Sequence, residues 1–441
     1  MNNSNKLSPT HQDIWALAGP IILSNLSIPL VGAVDTAVVG HLPEPHSIGA
    51  VALGSLIFSF LFWGFGFLKM GTTGFIAQAY GANNQQALSD TISRVILLAL
   101  GFGLITILLS YPLIQFALYL LNSTEQLETL SANYAYIRIW SAPATLCTYV
   151  FTGVFIGMQN TRKVMILLLV LNLSNILLDI VFVVGFGMGV EGVALATLIA
   201  EYIAAACGFF LLREQIKTAV ERFIWSKILE RKAITTLMKA NSDIFIRTLC
   251  LVFSLSFFTF QSAKMGEVVL AANAILLHLQ SIMAYGLDGF AHAAEALTGS
   301  AYGAKKRNEF TRAVKLTSFW AFIIAVFICV IYYIFGEFIL GLFTNIDEVL
   351  VSAKTYLPWM IIAPIVSIWS FQLDGVFIGA SYTKEMRNAM IVSMLIYLAL
   401  LQVLIPQWGN HGLFLGLSLF MLIRAMTLGL YYKRIVRAIT F

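Results

Sequence analysis

The chain has 441 residues, 59% hydrophobic and 11% charged, with a mean hydropathy of +0.84. Soluble domains carry roughly 25% charged residues, so this composition excludes a soluble protein and puts most of the length in lipid. The formal charge of +5 is too small to argue for a nucleic-acid partner. Cys147, Cys207, Cys250 and Cys329 lie in apolar runs without CxxC or Cys/His spacing. They read as small buried hydrophobes, with neither a disulfide nor a metal site expected.

A helix needs about 20 apolar residues to cross a bilayer. Read in chain order, this predicts twelve spans, the first six at 14–40, 46–70, 92–121, 134–157, 164–186 and 191–212. The second half adds 235–263, 268–298, 313–343, 355–378, 388–406 and 411–432. Such a packing leaves short loops and no soluble domain. The polar start, MNNSNKLSPTHQD, has no signal-peptide character, so the first helix is expected to stay as an anchor. With loops assigned alternately, Lys and Arg fall almost entirely on one side, while Glu125, Glu128, Asp347 and Glu348 fall on the other. Both termini are therefore expected in the cytoplasm of a multi-pass membrane protein.

Ala79-Tyr80-Gly81-Ala82 recurs as Ala301-Tyr302-Gly303-Ala304, and Gly153-Val154-Phe155-Ile156-Gly157 as Gly375-Val376-Phe377-Ile378-Gly379, both at an offset of 222. Two separated matches at one offset mean duplication. Gly192 against Gly412 implies only a two-residue shift farther along. Each copy holds an even number of spans, so the predicted fold is an all-α membrane protein of two six-helix lobes related by a pseudo-two-fold axis along the membrane normal. The expected divisions are 1–212 for the first lobe, 213–234 for a basic cytoplasmic linker and 235–441 for the second lobe. Paired lobes flanking a cleft are the usual layout of an alternating-access transporter, although a duplicated channel or enzyme can share the topology.

Ionisable groups inside spans are costly and read as functional candidates. Asp35 lies in the first helix downstream of Pro20 and Pro29, each of which removes a backbone donor and lets the helix bend. Asn172, Asn175 and Asp179 share one face of the fifth span. A buried carboxylate beside amide donors can hold a proton or a small cation. The structural alternative for Asp179 is a hydrogen bond that pairs two helices. Tyr134, Tyr136 and Arg138 open the fourth span, where an interfacial aromatic and a snorkelling arginine are the plainer reading.

In the second copy Asp35 is replaced by Phe257, Asn175 by Tyr397 and Asp179 by Leu401. That half has its own acids, Asp288, Glu295 and Asp374, which either take part in transport or pair with Arg247 or Lys305. Glu201 and Arg424, near span ends, read as snorkelling or paired. No P-loop, HExxH or paired-aspartate signature is present, so neither ATP-driven transport nor an enzyme is expected.

Asp35-Thr36-Ala37-Val38-Val39-Gly40-His41-Leu42, Ala77 to Ala82, Gly153 to Gly157 with Asn160-Thr161-Arg162, and Asn175 to Asp179 resemble the multidrug and toxic compound extrusion (MATE) family. Asp374 to Ala380 with Lys384-Glu385-Met386-Arg387-Asn388 resembles its bacterial DinF branch. The resemblance implies a cation-coupled antiporter in the bacterial inner membrane. It would export amphiphilic, often cationic drugs as a monomer in lipid, without a cofactor. By the same resemblance, Asp35 is the proton-binding aspartate and Pro20 the hinge of the first helix. Asn175, Asp179 and Thr197 form the partner cluster, with Tyr134, or else Tyr136, as its tyrosine. Asp374 sits nearer its glycine than the sodium-coupled branch's aspartate, which favours H+ over Na+ as coupling ion. A flippase for a lipid-linked precursor is the rival reading.

Overall fold

The computed structural model describes residues 8–40, 45–121 and 124–439, and the side chains of 28–31, 33, 35–37, 39 and 45 lie outside that description. The described backbone is helical, with no strand. In the first half, α1 (His11–Gly40), α2 (Pro45–Gly64), α3 (Phe67–Gly81), α4 (Gln85–Leu108) and α5 (Ser110–Leu121) are followed by α6 (Glu125–Arg138), α7 (Ala142–Gly157), α8 (Thr161–Asp179) and α9 (Val190–Leu211). Two short helices, α10 (Arg213–Glu221) and α11 (Trp225–Ile228), lead to α12 (Arg231–Lys264), α13 (Glu267–Gly303), α14 (Arg307–Phe343), α15 (Asp347–Gly379) and α16 (Thr383–Ala438).

Ten helical runs among the described residues are long and apolar enough to cross a membrane. The last of them, α16, has 56 residues and kinks at Gly409, where φ is 55° and ψ −129°, so it makes two crossings. With the 30-residue α1, this completes the twelve spans. Several helices outrun their apolar windows. The hydrogen-bond ladder continues past the bilayer edge for as long as charged or small residues permit it, so α15 begins at Asp347 and α14 at Arg307. The span expected at 92–121 breaks at Leu109 into α4 and α5, and Pro112 falls in the first turn of α5, where its missing donor is not needed. Outward apolar side chains such as Leu108, Tyr119 and Leu430, each 80% exposed, are those a lipid surface would cover.

The chain separates into two compact units. One comprises Leu23–Tyr80 and Asn84–Met238; the other comprises Met1–Ile22, Gly81–Asn83 and Lys239–Phe441. The division passes through α1 just after Pro20. Within the second unit, Ile14, Leu17 and Ala18 of α1 join a core built on Phe258, Leu287 and Phe290.

The duplication extends to backbone conformation. Among the described residues, the non-glycine positions with positive φ are Asn83 (51°), Gln159 (58°), Lys305 (57°) and Ser381 (58°), two pairs 222 apart. Beside each, the next amide returns to the helix: Asn84 to the Ala79 carbonyl at 3.0 Å, Asn160 to Phe155 at 2.8 Å, Lys306 to Ala301 at 2.9 Å and Tyr382 to Phe377 at 2.9 Å. These are Schellman endings, which satisfy the last carbonyls of α3, α7, α13 and α15.

The repeated glycine motif is a packing seam. A Cβ on Gly153 would stand 2.6 Å from the Lys69 carbonyl oxygen, and one on Gly157 would stand 2.8 Å from that of Thr73. In the other unit, Gly375 and Gly379 meet the carbonyls of Ala291 and Glu295 at 2.3 and 2.5 Å. Both partner pairs are again 222 apart. Small residues let backbones approach closely where lipid offers no hydrophobic drive between helices.

Candidate functional site

In the first unit, α8 carries Asn175 and Asp179 one turn apart, and both are buried. The Asn175 Nδ2 donates to Asp179 Oδ2 at 2.9 Å and to Thr197 Oγ1 of α9 at 3.3 Å. The Thr197 hydroxyl donates in turn to the Val193 carbonyl at 3.0 Å, which leaves its oxygen to accept from the amide. This chain of donors fixes the amide and aims it at one carboxylate oxygen. Immediately after Asp179 the helix widens into a π turn, Ile180–Gly185, a distortion frequent at functional sites.

The same face of α8 is joined to α1. Asn172 Nδ2 donates to the Ser27 hydroxyl, which donates to the Ser24 carbonyl at 2.6 Å. Both helices are odd-numbered crossings and run in one direction. Asp35 lies about two turns beyond Ser27 and Asp179 about two turns beyond Asn172, so the helical rise puts the two aspartates at about the same depth. The side chain of Asp35 is outside the described residues.

The two tyrosines point elsewhere. Tyr134 of α6 is buried over Gly54 with its hydroxyl 3.3 Å from Ser55 of α2. The Tyr136 hydroxyl accepts from Gln115 of α5 at 3.2 Å. Neither tyrosine is hydrogen-bonded to the Asn175 cluster among the described residues, because α6 turns these positions toward α2 and α5.

Arg138 differs from the interfacial expectation. It is 8% exposed, pairs with Glu201 of α9 at 3.4 Å, donates to the Ser141 hydroxyl, and lies 5.6 and 5.5 Å from the rings of Phe58 and Phe62. A guanidinium this deep needs a counter-charge, and α9 supplies one. Arg138→Met is expected to cost about 3–5 kcal/mol by leaving Glu201 buried without that partner. Thermal unfolding of the purified variant checks this, and an unchanged melting temperature would exclude it.

In the second unit, the acids expected in its spans take separate places. Asp374 of α15 is held by Arg247 of α12 and Arg424 of α16. Glu295 of α13 is buried with one oxygen 2.9 Å from His292 Nδ1. Asp288 lies half-buried on the same helix. Sequence reasoning weighed Arg247 as a partner but passed over His292, although its position three residues before Glu295 puts the two on one face.

A family model described as MatE matches the chain twice, over residues 20–181 and 244–403, once in each half of the duplication. DNA damage-inducible protein F of Escherichia coli (strain K12) is 40% identical over 428 residues, covering 97% of this chain and 93% of its own. A probable multidrug resistance protein NorM of Photorhabdus laumondii is 24% identical over 431 residues, 94% of this chain and 93% of its own. A MOP superfamily transporter from Pyrococcus furiosus shares the fold with a TM-score of 0.88 at 18% identity, covering 98% of this chain and 97% of that one. The duplicated twelve-helix chain thus belongs to the MATE family of membrane transporters, in its DinF branch.

Proposed function

We propose that the protein is a secondary active exporter that exchanges amphiphilic, often cationic drugs for protons across the bacterial inner membrane, with both termini in the cytoplasm. The observation that carries this reading is the chain Thr197–Asn175–Asp179 together with the Asn172–Ser27 link to α1. Through that link, a proton arriving at the aspartates changes hydrogen bonding on the helix that also holds Pro20. Protonation of Asp35 removes its charge and alters its bonding with the Asn175/Asp179 group. The first helix then bends at Pro20, two residues before the point where α1 passes from one compact unit to the other. The bend reduces the drug pocket, and the inward state resets it. A cation drives such a cycle only if its affinity differs between the two states, and loss of charge on a desolvated aspartate supplies that difference.

Protons rather than sodium are supported by the second unit, where two guanidinium groups bond Asp374 and their positive charge opposes a metal cation there. The drug class is supported by the NorM relative's multidrug resistance and by family membership. The test is transport of a fluorescent cationic dye by reconstituted vesicles driven by one ion gradient at a time. A proton gradient alone is expected to drive dye exchange and a sodium gradient alone to leave it at the protein-free rate. Equal transport under sodium alone would refute proton coupling.

A further inference from the structure

The second unit holds a charge imbalance that proton coupling does not use. Arg247, Asp374 and Arg424, from three helices, meet in its interior at 7%, 7% and 2% exposure. The Nη2 of each arginine donates to the same oxygen, Asp374 Oδ2, at 2.7 Å from Arg424. Two guanidinium groups thus share one carboxylate, and neither is ion-paired to a second acid among the described residues.

Each guanidinium keeps an unpartnered donor. The Nε atoms of Arg247 and Arg424 are both buried without a hydrogen-bond partner among the described residues, as is the hydroxyl of Tyr397. Arg424 Nη1 meets a thioether, Met421 Sδ, at 3.1 Å. Its guanidinium lies 5.6 Å from the ring of Phe420, which packs 5.2 Å from Tyr397. A buried positive charge without a counter-charge costs several kcal/mol in a low-dielectric interior.

The duplication argues against a purely structural role. Arg247 corresponds to Asn25 and Asp374 to Thr152, and Arg424 corresponds to Ala204 once the shift seen between Gly192 and Gly412 is applied. The first copy builds its six spans without any of the three charges. By contrast, that copy's Arg138–Glu201 pair is balanced.

We infer that Arg247 and Arg424, held together by Asp374, form a binding site for the oxyanion headgroup, carboxylate or phosphate, of an amphiphile. The arginine forks match a planar or tetrahedral oxyanion in geometry and charge. Phe420 and Met421 offer apolar contact for the chain that the headgroup carries. The site has the opposite sign to the aspartate cluster of the first unit.

The test is direct titration of the purified protein in a maltoside detergent with dodecyl phosphate, followed by its thermal melting. Inorganic phosphate is the chainless arm and dodecyltrimethylammonium the arm of opposite charge. Dodecyl phosphate is expected to raise the melting temperature, and Arg247→Gln or Arg424→Gln to weaken its apparent affinity about tenfold or more. Asp374→Asn removes the competing carboxylate and is expected to strengthen that affinity several-fold. An ion triad of structural value alone would instead lower the ligand-free melting temperature in all three variants and leave affinity for the phosphate unchanged, which overturns the proposal. If the arginine variants do not fold, the wild type and Asp374→Asn still decide it, because equal affinity in those two, or none in the wild type, also overturns it. Equal binding of inorganic phosphate would overturn the amphiphile assignment. Repeating the titration in phosphatidylglycerol and phosphatidylcholine nanodiscs separates the sources: competition only by the former identifies a bilayer lipid, and its absence a soluble amphiphile. Binding is read without an ion gradient, so the result is independent of the coupling ion.

Discussion

Replacing Asp35 with asparagine is expected to abolish drug export while the protein still reaches the membrane in normal amount. Asparagine nearly matches aspartate in shape and keeps a hydrogen-bonding oxygen, so the helix loses little as structure. What it loses is the ability to exist in two charge states, and with that goes any differential affinity for the proton between conformations. Coupling free energies between sites are typically about 1–3 kcal/mol, roughly 5–150-fold in affinity. A loss of at least tenfold in resistance is therefore expected in a drug-susceptibility panel on an efflux-deficient host. Full resistance at matched expression would remove Asp35 from the mechanism. The expectation stands on the position of Asp35 in α1 and on the resemblance of its surrounding residues, with the Asn172–Ser27 bond as the physical route from α8 into that helix.

Gly379→Ala is expected to destabilise the protein by overpacking the seam between α15 and α13. The added methyl carbon would stand 2.5 Å from the Glu295 carbonyl oxygen, 2.6 Å from the Thr298 hydroxyl and 2.9 Å from the Gly299 nitrogen. Two of these are backbone atoms of α13, so relief requires separating α15 from α13 along the seam. Overpacking a dense interior typically costs about 1–3 kcal/mol. Gly341 and Gly429, in α14 and α16, have nothing within 4 Å of an added Cβ. Alanine at those positions is expected to be neutral or slightly stabilising, because it lowers the chain's conformational freedom at no steric cost. Thermal unfolding of the three purified variants checks the contrast, and equal melting temperatures would show that the seam can yield.

The packing seam itself was legible only as a repeated motif. Gly153, Gly157, Gly375 and Gly379 stood out by their spacing, whereas their partners on α3 and α13 depend on how those helices are placed. The Asn175–Asp179 pairing followed from one-turn spacing on a single helix, because residues one turn apart on a helix must be neighbours. Tyr134 and Tyr136 show the limit of that logic. Their positions in the fourth span are plain from sequence, yet one hydroxyl meets Ser55 and the other Gln115, since the rotation of α6 about its own axis is set by packing against α2, α5 and α9.

The sequence by itself determined the membrane setting, the twelve crossings, the duplication at 222 residues and the family. These follow from composition, window length and offset, quantities that run along the chain and that a bilayer selects directly. The tertiary structure decided where the scarce buried charges go. Arg138 meets Glu201 across 63 residues, and Asp374 meets Arg247 across 127 and Arg424 across 50. A buried arginine gains from a counter-charge, but which helix provides it depends on helix rotation and depth, and these are fixed only when the helices pack.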